Sequence, residues 1–146
     1  MLCPDVNVLL YACMQESGRH AEYREWLRRA MTGDEPVGLS ELVLSGVIRI
    51  ATNHRVFREP ISMVQALDFC HALRDAPAAI PLRPGRNHWP IFDRLCRLPG
   101  VTANVVPDAY HAALAIESGA TWVTTDTGFA RFPQLLWRSP LGRGDS

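Results

Sequence analysis

Residues 107–126 read PDAYHAALAIESGATWVTTD, and this stretch decides the class of fold. Pro107 sits at an early helical position, where its missing N–H is harmless and its fixed φ suits the first turn. DAYHAALAIES then runs as a helix, and Gly119 ends it. TWVTT follows at once, with the β-branched and aromatic composition of a short strand. A helix passing directly into an apolar strand is the return half of a β–α–β unit, so a parallel sheet is expected.

The alternation extends in both directions. Downstream, TGFARF makes a short helical turn and LLWRSP a final strand. Upstream, AAIPL reads as a strand, and RPGRNHW leads into a helix that stops near Leu98-Pro99-Gly100. Ser62 caps a helix through Ala76. VGLS is a strand after the GDEP break, and Ser40 is a good N-cap for a helix striped by Leu44, Val47, Ile48 and Ala51, which ATNHRVFREP closes. Tyr23, Trp26, Leu27 and Ala30 define a helix from about His20 to Met31. Residues 2–12, CPDVNVLLYA with its preceding Leu2, read as one strand, because a near-continuous apolar run is the pattern of a parallel strand covered on both faces. The expectation is an α/β sandwich around a mainly parallel central sheet, one domain over 1–140 with a disordered tail at 141–146.

Bulk properties narrow the classes. The chain has 146 residues, 47% apolar and 21% charged, as in ordinary globular domains. Fifteen basic residues balance fifteen acidic ones, which excludes a globally basic nucleic-acid binder but not a local patch. Every basic residue is arginine. Cys3, Cys13, Cys70 and Cys96 lack zinc-ligand spacing and read as free thiols of a reducing compartment. No stretch is long and apolar enough for a membrane span, and Asp5 breaks the opening apolar run, so a cytoplasmic protein is expected. The terminal RGDS is read as chance.

The chemistry is in the acids. In open parallel sheets ligands gather beyond the carboxyl ends of the strands, and four acids fall at such places: Asp5 in the first strand, Glu41 heading the second helix, Asp108 in the first turn of the DAYHAALAIES helix, and Asp126 after TWVTT. Glu41 shares a helical face with Leu44 and Ile48 and is expected to point inward; Asp5 and Asn7 share one side of their strand at period two. A helix dipole or a turn accounts for Glu41, Asp108 or Asp126 taken singly. Neither accounts for Asp5, since an isolated carboxylate in a covered sheet costs many kcal/mol unless it is paired or holds a metal, and no arginine occupies the facing segments. Converging carboxylates repel unless a divalent cation neutralises them, and oxygen-only ligands favour Mg²⁺ or Mn²⁺. His111, three residues after Asp108, has a spacing seen in shared metal sites but is read as packing.

DVNVLLYA, LSELVLSGVIRIATNHRVF and ANVVPDAYHAALAIESGATWVTTDTGFARFPQLLWRSPL, in that order, resemble the PIN-domain ribonucleases of the VapC toxin type. The resemblance implies a PIN-like three-layer sandwich with a five-stranded sheet. It implies an acidic pocket that hydrolyses RNA with Mg²⁺ or Mn²⁺, homodimerisation, and a cognate VapB-like antitoxin whose tail enters the pocket. It places the family's acids on Asp5, Glu41, Asp108 and Asp126, and its carboxylate-orienting residues on Asn7 and Thr124 or Thr125. Gly128 departs from relatives that carry a further Asp there, which bears on a second metal. On this reading Asp5 and Asp108 ligate the metal, Asp126 does so directly or through water, and Glu41 positions the attacking water or helps hold a second ion.

RNA must cross a negative pocket, so Arg49, Arg55 and Arg58 are expected at its rim, with RPGRNHW (Arg83, Arg86 and a stacking Trp89) a weaker second segment. Two other readings compete. A phosphoaspartyl hydrolase with Asp5 as nucleophile needs a lysine near the phosphate, and the chain has none. An inactive binding module has no use for four mutually repelling acids.

Overall fold

A computed structural model describes residues 1–142. Chain order is β1 (Leu2–Pro4), α1 (Val6–Cys13), α2 (His20–Thr32), β2 (Val37–Ser40), α3 (Glu41–Ala51), α4 (Met63–Arg74), β3 (Ala79–Leu82), α5 (His88–Cys96), α6 (Val106–Ser118), β4 (Thr121–Val123) and β5 (Leu136–Arg138). Short 3₁₀ turns cover Ala103–Val105 and Thr127–Arg131. The strands form one five-stranded sheet in the order β3-β2-β1-β4-β5. Every pairing is parallel, with Leu2 opposite both Val37 and Thr121. The expected class holds, and the sheet is wholly rather than mainly parallel.

The chain builds outward from β1 through β2 to β3, then returns to β1's other side with β4 and β5. The strand order therefore reverses between β1 and β4, and it is beyond the carboxyl ends at such a reversal that open parallel sheets form a ligand crevice. α1 packs on α2 and α3, α3 on α4, and α5 on α6. The core between these layers is apolar: Val8, Leu9, Val37, Val47, Ala109, Ala112, Trp122 and Val123 are almost fully buried.

One element differs from the sequence expectation in a way that matters for function. Residues 2–12 are not a single strand: three residues form β1, and from Val6 the chain is helical. The buried positions Val8, Leu9 and Ala12 are spaced as on a helix face. Asp5 makes the switch. Its backbone is extended (φ −74°, ψ 161°) and its side chain accepts from the Val6 N–H, so it is the N-cap of α1 rather than a residue within a strand. Asn7 accordingly lies on the helix and not two residues along a strand from Asp5.

The tail expected at 141–146 begins with Leu141, which packs against the core; residues 143–146 lie outside the described residues.

Candidate active site

Asp5 is pinned from three sides. Its N–H donates to the Val123 carbonyl (2.8 Å), joining the end of β1 to the end of β4. Its Oδ1 accepts from the Val6 N–H (2.6 Å), and its Oδ2 accepts from the Thr124 hydroxyl (2.6 Å). The residue is 7% exposed, and desolvation is the main cause that raises its pKa to about 6. The two hydrogen bonds act against that rise, while the charges of Asp108 and Asp126 add to it.

Thr124, fully buried, is the hub of the crevice. Besides donating to Asp5, its Oγ1 accepts from the Asp126 N–H (3.0 Å) and from Asn7 Nδ2 (3.4 Å). Asn7 Oδ1 in turn faces the Thr125 N–H at 3.5 Å. Thr124 thus contributes its side chain and Thr125 its backbone. Asn7 reaches this hub from the first turn of α1, a different route from the strand side expected for it.

Asp126 caps the 3₁₀ turn, its Oδ1 accepting from the Gly128 N–H at 2.7 Å. Asp108 is half-buried in the first turn of α6. Burial raises its pKa, the Asp126 charge raises it further, and Arg131 opposes both. The three aspartates therefore act electrostatically on one another across the switch point.

Glu41 does not point inward as expected. It is the first residue of α3, side chain 64% exposed, and its Oε1 lies 3.3 Å from Arg83 Nη2 at the end of β3. The physical reason is the position: a side chain on the first helical residue leans past the helix terminus, away from the stripe that begins with Leu44, and an arginine waits there. Arg83 thus pairs with Glu41, while the charge of Arg131 acts on Asp108.

His111 faces elsewhere. Its ring stacks on Trp122 at 5.2 Å, and burial lowers its pKa to about 4.

The chain as a whole matches a known family. A family model of the PIN domain matches residues 2–135. VapC ribonuclease Mb2897 of Mycobacterium bovis is 50% identical over 141 residues, covering 97% of this chain and 96% of that protein. The chain belongs to the VapC branch of the PIN-domain family. Ribonuclease VapC31 of Mycobacterium tuberculosis is 33% identical over 142 residues, covering 97% of this chain and 100% of that protein. Among solved structures, VapBC2 from Rickettsia felis bound to a DNA fragment from its promoter superposes with a TM-score of 0.68 at 17% identity, covering 94% of this chain and 97% of that one. VapC20 of Mycobacterium tuberculosis, a Sarcin-Ricin loop cleaving toxin, superposes with a TM-score of 0.65 at 16% identity, covering 93% of this chain and 99% of that one. The last two likenesses concern the fold.

Of the basic residues singled out from sequence in this PIN domain, Arg83 pairs with Glu41, and Arg49, Arg55 and Arg58 belong to the end of α3 and the loop after it. Arg49 is in the last turn of α3, about 12 Å along the axis from Glu41 at 1.5 Å per residue. Arg55 and Arg58 follow in the loop, where their backbone N–H groups donate to Asn53 and Glu16. Arg131, which sequence reasoning passed over, lies beside the aspartates. The available signal was its place five residues after Asp126 in one short turn.

Proposed function

We propose that this PIN-domain chain is the ribonuclease toxin of a toxin–antitoxin pair, hydrolysing RNA phosphodiesters with Mg²⁺ or Mn²⁺ bound between Asp5, Asp108 and Asp126. The observation that carries the reading is the setting of Asp5: a buried carboxyl at the switch point on which the charges of Asp108 and Asp126 both act. An N-cap alone explains one hydrogen bond. It does not explain two like charges placed against a desolvated group, which stabilise nothing unless a cation joins them.

The donor set fits a hard divalent ion, being all oxygen. Among the described residues no three acidic, histidine or cysteine side chains, as they lie, stand close enough to hold a metal ion. The three aspartates do act electrostatically on one another, and a bound ion would draw them in. Each Asp5 oxygen holds one hydrogen bond, and a carboxylate oxygen has a second lone pair to offer.

A divalent ion bound here supplies Lewis acidity toward water and neutralises charge developing on the phosphate. Asp5 and Asp108 are assigned as direct ligands and Asp126 as a further ligand, direct or through water. Thr124 holds the Asp5 carboxylate in one rotamer through its hydroxyl, and Asn7 steadies Thr124. Glu41 orients the attacking water or helps hold a second ion. Either role requires it to leave Arg83, and an exposed pair of that kind contributes about 1 kcal/mol or less. Arg49, Arg55 and Arg58 bind the flanks of a long RNA rather than the scissile phosphate.

The naming of the relatives as VapC ribonucleases supports the activity, and the VapBC complexes among the structural neighbours support a VapB-like antitoxin as partner. We extend the reading to a homodimer acting in the cytoplasm. No helix among the described residues is long and apolar enough to cross a membrane.

Cleavage of structured RNA tests the proposal, run with Mg²⁺, with Mn²⁺ and with chelator. Chelation is expected to abolish cleavage, and Asp5→Asn or Asp108→Asn to lower it by at least about 100-fold with unchanged circular dichroism. Activity indifferent to chelator would refute the metal mechanism.

A further inference from the structure

The acidic crevice poses a problem for its own substrate, because RNA phosphates must approach three aspartates on a protein of zero net charge. A fixed cation beside the acids would relieve that repulsion. We propose that Arg131 is that cation, a substrate-binding residue whose guanidinium holds an RNA phosphate next to Asp108 and Asp126. The proposal rests on the ribonuclease reading above and adds a residue to it.

Two geometric observations converge on Arg131. Its Nε donates to the Gly128 carbonyl at 3.0 Å, which orients the guanidinium. Its Nη2 lies 3.5 Å from where a Cβ on residue 128 would stand, and that same point is 2.9 Å from Asp126 Oδ1. The guanidinium therefore borders the space that Gly128 leaves open beside the Asp126 carboxylate.

What the guanidinium does not do is equally informative. It forms no ion pair with a carboxylate among the described residues, and its Nη atoms donate no hydrogen bond there. A guanidinium beside the Asp126 carboxylate, oriented by its Nε yet not closed onto it, presents its remaining N–H groups to a ligand, and the fork of arginine matches phosphate oxygens. Gly128 is part of the device. A side chain there would press on Asp126 Oδ1 and disturb the Gly128 N–H bond that holds the carboxylate.

The other role open to Arg131 is structural, as a clamp on the Gly128 carbonyl. Salt-dependent RNA binding separates the two. Fluorescence anisotropy of a labelled single-stranded RNA, recorded in chelator over a range of KCl concentrations, should show for Arg131→Ala a log–log slope shallower by about 0.7, the value for one phosphate contact on a single strand. Arg131→Lys should restore the slope while leaving kcat/KM below wild type, because lysine keeps the charge and loses the fork. Guanidinium ion added to Arg131→Ala should restore part of the cleavage. A slope unchanged by Arg131→Ala, whether or not Tm falls, would overturn the proposal, as would wild-type protein that binds no RNA under these conditions. Wild-type cleavage in Mg²⁺ distinguishes the failures: cleavage that persists undiminished in Arg131→Ala removes only this residue's role, whereas wild type that cleaves no RNA removes the ribonuclease reading as well.

Discussion

Asp5 carries two duties that conflict, capping α1 and presenting charge in a desolvated crevice. Burial and neighbouring acids raise its pKa from 3.8 to about 6. Between those values the unfolded chain has lost the proton that the folded chain keeps, so in metal-free protein stability falls as pH rises through the window and is level above it. The full effect is up to about 3 kcal/mol. Asp5→Asn should therefore stabilise chelated protein, by roughly 1–3 kcal/mol at pH 7, with the gain vanishing near pH 4; thermal melts across that range check it, and a difference independent of pH would contradict it. His111 works in the opposite sense. Its pKa is lowered from 6.5 to about 4 by burial, so the unfolded chain takes up a proton first and stability falls as pH drops from 6.5 toward 4. The His111 Nδ1 is also buried without a hydrogen-bond partner. His111→Phe should keep the stack on Trp122 and raise stability by about 1–3 kcal/mol, more at pH 5 than at pH 7. A fall in Tm at pH 5 would show that the imidazole has a favourable partner.

At the level of elements, α1 owes its position to a glycine in α3. A Cβ on Gly46 would stand 3.0 Å from Val6 Cγ2, so the missing side chain lets the first turn of α1, and with it Asp5, approach α3. Gly46→Ala gains up to about 1 kcal/mol of helix propensity and loses it again by displacing a stiff β-branched neighbour. Near-wild-type Tm with cleavage reduced several-fold is expected, and Val6→Ala in the same chain should recover the activity. No recovery would mean that the first turn of α1 does not set the site. The sequence made this level of organisation partly readable. DAYHAALAIES followed by TWVTT declares a helix returning to a parallel strand, and the acids beyond the strand ends mark the crevice. The opening run was misleading because Leu, Val and Ala serve a buried strand and a buried helix equally, and only the backbone at Asp5 tells where one becomes the other. The exposure of Glu41 and the approach of Arg131 depend on a helix end and a 3₁₀ turn, short features with no periodicity to announce them.

Across the whole molecule, charge is balanced and attraction for RNA has to be local. Arg55 and Arg58 are exposed on the loop after α3, so replacing both with Ala should reduce the salt dependence of RNA binding while leaving the cleavage rate of bound RNA unchanged; a fall in that rate would give them a part in the chemistry itself. The fold's contribution is to bring residues 5, 108 and 126, distant in sequence, to the point where the strand order reverses. Whether they share an ion is answered most directly by titrating metal-free protein with Mn²⁺ and counting bound metal by electron paramagnetic resonance. Wild type should show a saturable site that is lost in Asp5→Asn and in Asp108→Asn, both still folded. Undiminished Mn²⁺ binding in both variants, or none in wild type, would contradict the account.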